Sequence, residues 1–105
     1  SNGALVSRDS VASEAVHHFA ETAPISTYLL AFAAGPWQVQ TRELALADGA
    51  QAQAMSLWLR RSRAPEAESD TLLHMNARAL RWLGQYFGVP YPFGKYDLLL
   101  APAFP

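Results

Sequence analysis

The sequence has no cysteine, which excludes a disulfide framework and any thiolate-ligated metal centre. Charge is scarce as well. Eight Lys or Arg stand against nine Asp or Glu, 16% of the chain, for a net charge of -1. Such a balance supplies no basic face for a phosphate backbone or an anionic membrane, so neither nucleic acid nor membrane insertion is expected. A long hydrophobic run is missing too. The longest nearly unbroken one, Tyr28 to Ala34, falls far short of the roughly 18–20 residues that span a bilayer. The start, Ser1-Asn2-Gly3-Ala4-Leu5-Val6, has no basic stretch followed by an apolar core, so it does not read as a signal peptide. These absences lead to the expectation of a soluble chain, with cytoplasm and periplasm both left open. Half of the 105 residues are apolar, enough for a modest core and too many for disorder.

What is present changes period once. Ala15 to Glu21 reads as a strand closed by Pro24, and Ser26 to Ala33 as a strand buried on both faces, bounded by Pro24 and Gly35-Pro36. Trp37 to Leu46 begins with alternation, and Asp48-Gly49 is a hairpin signal before the next strand. In Ala54 to Arg61, Met55, Leu57 and Leu59 share one face while Ser56, Trp58 and Arg60 share the other, as in a half-buried antiparallel strand. After Arg63 the spacing becomes helical. Pro65 suits a first turn, and Glu66, Glu68 and Asp70 suit the positive end of the macrodipole. Leu72, Met75, Ala79, Leu80, Leu83 and Phe87 form the expected apolar stripe. Gly88 and Pro90 end the helix, and Tyr96 to Ala101 is a short buried strand. The expected class is α+β: mainly antiparallel β up to about Arg61, one long helix at about 65–87, and a short final strand. The change of period near Ser62 is the expected boundary between domains.

Candidate chemistry is thin. His17 and His18 are neighbours in a strand and point to opposite faces, so they cannot chelate one metal. His74 follows Asp70 by one helical turn, but Arg78 one turn on would repel a cation, and an i,i+4 contact explains the pair. Glu66, Glu68 and Asp70 are explained by their place at a helix start. Ser10, Ser13, Ser26 and Ser56 lack a nucleophile elbow, and Gly84 and Gly88 do not precede a helix as a phosphate loop would. Arg60-Arg61-Ser62-Arg63 reads as solvated, and Trp37, Trp58 and Trp82 as core or interface packing rather than a ligand platform.

Three stretches carry a family resemblance. They are Phe19 to Leu29, with Pro24-Ile25-Ser26-Thr27-Tyr28 and the tail to Gly35; Met75 to Gly88, ending Tyr86-Phe87-Gly88; and Tyr91-Pro92-Phe93-Gly94-Lys95-Tyr96-Asp97-Leu98-Leu99-Leu100. Together they resemble the M1 family of zinc aminopeptidases (gluzincins, such as aminopeptidase N and leukotriene A4 hydrolase). The likeness is to the stretch where the N-terminal β-domain passes to the catalytic domain. It implies that residues 1–61 are the C-terminal part of the β-domain and 62–105 the opening helix and strand of a truncated catalytic domain. It implies a parent that hydrolyses N-terminal residues from peptides with zinc. The family's Gly-rich Met-Glu motif and His-Glu-x-x-His helix match no position here. No catalytic, substrate-binding or metal-ligating residue is therefore expected, zinc is expected only in the parent, and only Ala103 to Pro105 would approach its cleft. The implied partners are the remainder of the peptidase chain and the parent's peptide substrates. The fragment is also expected to self-associate through Leu72, Leu80, Leu83, Leu98 and Leu100, because each apolar side chain left in water forfeits about 1.5–3 kcal/mol. The alternative is a stand-alone β-rich binding or interaction module without catalysis, against which stands the apolar run Leu98 to Pro105.

Overall fold

The computed structural model describes residues 1–66 and 68–101, which divide into two compact units between Ala34 and Gly35. The first unit is a β-ribbon. β1 (Leu5–Val11) and β2 (Glu14–Phe19) pair antiparallel around Ala12-Ser13, where Ala12 takes φ +56°. β2 matches the strand expected from Ala15. β1 has no counterpart among the expected strands, because its residues are exposed on both faces and no apolar alternation marks it. Below the ribbon, Ala20 N–H donates to the Ala4 carbonyl at 2.8 Å. Gly3 is buried beside this bond, and a Cβ there would lie 2.0 Å from the Ala20 oxygen. Only glycine permits that closure.

The strand expected at Ser26 to Ala33 does not form. A 3₁₀ turn, Thr27–Leu29, takes its place, and Tyr28, Leu30 and Phe32 are exposed. Aromatic and β-branched residues suit a pleated surface, but a strand also needs a ladder partner. Here the backbone is satisfied instead by the Asn2 side chain. Its amide nitrogen donates to the Leu29 carbonyl at 3.2 Å and its oxygen accepts from Ala31 N–H at 2.7 Å.

The second unit is a three-stranded mixed sheet with a helix on one face. β3 (Trp37–Leu44) and β4 (Gln53–Arg60) form the expected antiparallel pair, and β5 (Lys95–Leu100) lies parallel to β4 on its other side. β4 reaches β5 through a 3₁₀ turn (Arg61–Glu66) and α1 (Ser69–Phe87), the long crossover that parallel pairing requires. The expected α+β class therefore holds. Alternation on β4 is as expected: Met55, Leu57 and Leu59 are buried against the helix side, joined in the core by Leu46, Ala64, Leu73 and Ala77.

Two details differ. The helix starts at Ser69, with Pro65 inside the preceding 3₁₀ turn. Its phase also differs. Ser69, Leu73 and Ala77 are the buried residues, with Leu72 and Leu80 packed beside them, whereas Met75 and Phe87 are 61% and 68% exposed. The sequence carries two apolar stripes. The one with small residues at 69 and 77 allows the helix backbone close to the sheet, and it is the one used. β5 is half-buried rather than buried, since it forms an edge with Leu99 and Leu100 open. The helix ends as expected: Gly88 adopts φ +70°, the left-handed C-terminal conformation.

Candidate functional site

The polar side chains gather around β5, on both faces of the sheet. Directly opposed residues of paired strands share a face, so the register puts Thr41, Ser56, Trp58, Lys95 and Asp97 on the side away from α1. There Trp58 Nε1–H donates to Asp97 Oδ1 at 3.2 Å, and Lys95 Nζ donates to Asp97 Oδ2 at 2.6 Å. Thr41 Oγ1 and Ser56 Oγ share a hydrogen bond at 2.9 Å. On the helix side, Tyr96 OH donates to Asn76 Oδ1 at 2.8 Å, and Asn76 donates in turn to the Leu72 carbonyl. Tyr91 OH donates to the Lys95 carbonyl at 2.8 Å, and its ring meets Phe93 and Tyr96 edge to face. Burial raises the Tyr91 phenol above its usual range, and charge on Tyr96 and Asp97 adds to this. These groups are donors and acceptors to one another. None is an exposed nucleophile beside a base.

A separate open concavity of about 510 Å³ lies between the β3–β4 connection and the outer face of α1, lined by Asp48, Met75, Arg78, Ala79, Arg81, Trp82 and Gln85. Gln85 Nε2 donates to Asp48, and Arg81 donates to the Ala45 carbonyl at 2.9 Å. Trp82 stacks on Tyr86 with centroids 5.1 Å apart. Its lining groups are largely committed to holding the connection against the helix.

The residues singled out in the sequence are scattered. His18 faces Asp9 across the ribbon at 3.1 Å, while His17 lies beside Phe19 on the other face. His74 Nδ1 donates to the Asp70 backbone carbonyl at 2.7 Å, and the Asp70 carboxylate turns to Arg42 Nε at 2.8 Å. The i,i+4 contact is thus made to backbone. Glu68 is the cap residue of α1 and makes no side-chain cap bond. Ser10, Ser13 and Ser26 are exposed, as are Arg60, Arg61, Ser62 and Arg63. Trp82 is exposed, outside the core of its own unit, and stacks on Tyr86. The zinc implied by the resemblance finds no fitting donor set: no group of three His, Cys, Asp or Glu able to hold a metal occurs among the described residues. Ala103 to Pro105 lie outside the described residues. No helix among the described residues is long and apolar enough to cross a membrane.

The Trp58–Asp97 pair was not visible in the sequence. Its members are 39 positions apart and each alone reads as ordinary packing or surface charge.

No family model matches the chain. It is 33% identical over 88 residues to the thyrotropin-releasing hormone-degrading ectoenzymes of Rattus norvegicus, Mus musculus and Homo sapiens. The aligned part covers 84% of this chain and 8% of each of those proteins. The chain therefore spans under a tenth of the length of the curated relatives it matches.

Proposed function

We propose that this chain is a segment of an M1-type zinc aminopeptidase that removes N-terminal residues from peptides, and that the segment serves as scaffold. The observation that carries this reading is the similarity over 88 residues, most of the chain, to ectoenzymes named for degrading thyrotropin-releasing hormone. The aligned length and the stretch from Tyr86 to Leu100 support the same parent. On this reading the end of a β-domain and the start of a catalytic domain both fall within the chain. Zinc and the groups that act on substrate, on the same reading, lie in other parts of the parent; no group of three His, Cys, Asp or Glu able to hold a metal occurs among the described residues. The residues of this segment build the sheet and tie β5 to α1 through the Tyr96–Asn76 hydrogen bond.

The test is metal analysis of the purified chain after dialysis against a chelator, together with an aminoacyl chromogenic substrate assay. No retained zinc and no turnover above the blank are expected. Retention of about one equivalent, as a three-ligand catalytic site would give, together with turnover, would overturn the scaffold role.

The exposed apolar surface supports a partner reading. Met75, Trp82, Tyr86, Phe87 and Val89 are exposed on and just after α1, while Leu72, Leu80 and Leu98 pack against the core of their own chain. We assign association of the isolated segment, with itself or with the rest of the parent, to the first group together with Leu83 and Leu100, which are also open.

A further inference from the structure

β5 is an edge strand, held to β4 by a parallel ladder and connected to it through α1. Its apolar residues do little to decide which residue of β4 each should face. Leu98, Leu99 and Leu100 are identical neighbours, and β4 presents Met55, Leu57 and Leu59 at intervals of two on the core face. Sliding β5 by two residues leaves each side chain on its own face and puts Leu100 against Leu57, where Leu98 now stands. Hydrophobic burial therefore separates these registers only weakly.

The polar groups separate them. Asp97 accepts from Trp58 Nε1 on β4 and from Lys95 Nζ on its own strand. The Lys95 and Asp97 side chains are only 24% and 21% exposed, so water replaces a lost partner poorly and an unmade bond is costly. A two-residue slide moves Asp97 by about 6.6 Å along the strand, beyond reach of the indole. The Lys95–Asp97 bond lies within β5 and moves with it, so that bond does not register the slide. Tyr96, which donates to Asn76 of α1, is a second tether on the opposite face.

We propose that the Trp58–Asp97 hydrogen bond is the register lock of the parallel β4–β5 pair, with Asp97 the positioning residue that sets where the C-terminal end of β5 lies along β4. The lock itself is independent of the peptidase reading. Only its consequence, that β5 is aimed toward a substrate cleft of the parent, rests on that reading, so the failure of one is distinguishable from the failure of the other.

NMR of the isotopically labelled chain tests it, reading cross-strand contacts between β4 and β5 and minor states by relaxation dispersion. The unmodified chain and Tyr96→Phe should show one register, Leu57 facing Leu98. Tyr96→Phe with Trp58→Phe, which keeps the ring and removes only the donor, should show a second set of β5 signals offset by two residues. The slipped-to-observed ratio should rise about 10- to 100-fold, the effect of losing a hydrogen bond to a charged group. Asp97→Ala in the Tyr96→Phe background should act alike. A single register in all variants would overturn the lock. So would loss of the helical far-UV signal in the Trp58→Phe variant, which would make the bond a general stabiliser instead.

Discussion

Leu73 is the one large side chain of α1 that is fully buried, surrounded by Leu46, Met55, Leu57, Leu59, Ala64 and Ala77. Leu73→Ala removes a branched side chain from a core with little else on the helix side, so collapse around the cavity is limited. Transfer and cavity terms together come to about 3 kcal/mol, inside the ~2–5 kcal/mol span of buried Leu→Ala changes. Better helix propensity returns only about 0.2 kcal/mol. Against a total of ~5–15 kcal/mol this is a large share, and it corresponds to roughly 12–24 °C in Tm for a domain of this size. Met75→Ala is the control. Met75 is 61% exposed, and its loss should cost under about 0.5 kcal/mol. Urea titrations followed by tryptophan fluorescence and far-UV dichroism read both midpoints, with unchanged slopes required for the comparison. Equal costs, or a larger one for Met75→Ala, would refute the helix phase and restore the stripe through Met75, Leu83 and Phe87.

Gly88→Ala should cost about 1–2 kcal/mol, since the position is left-handed at φ +70° with no atom crowding a Cβ. Gly88→Asn should cost less, and thermal melts giving equal stability for all three would be contrary. Burial favours the neutral phenol and holds Tyr91 above the ordinary tyrosine value of 10.0. Its contribution is therefore fully present below about pH 10 and lost as pH rises through the higher folded value. Tyr91→Phe should flatten that part of the alkaline fall and cost about 1 kcal/mol at neutral pH through the lost bond to the Lys95 carbonyl; identical slopes between pH 9 and 11 would contradict it. Trp82→Glu with Tyr86→Glu should lower the mass seen by light scattering at micromolar concentration toward the 11.5 kDa monomer, and an unmodified chain that is already monomeric would dismiss the association surface.

The sequence was most readable where a local rule and burial agree. β4 alternates because one face is core and the other is not, and the helix ends at Gly88 because a left-handed residue followed by Pro90 leaves no continuation. The helix phase was only partly readable: Leu72 and Leu80 of the expected stripe do pack on the core, but Leu73 and Ala77 compete with Met75, Ala79 and Leu83 for the same sheet and only packing chooses. Residues 26–33 have strand composition, yet composition does not report whether a ladder partner exists, and the Asn2 side chain satisfies that backbone instead. β1 gives no period-2 signal because neither face is buried. The parallel β4–β5 pairing and the Trp58–Asp97 bond are non-local. They depend on how α1 returns the chain, which no short window contains.

Sequencing the transcript that encodes this chain past Pro105 tests the peptidase assignment most directly. The expected result is a reading frame that continues through a Gly-rich Met-Glu motif and then a His-Glu-x-x-His helix. A stop codon at that point, or a continuation lacking both motifs, contradicts the assignment and leaves the stand-alone β-rich module in its place.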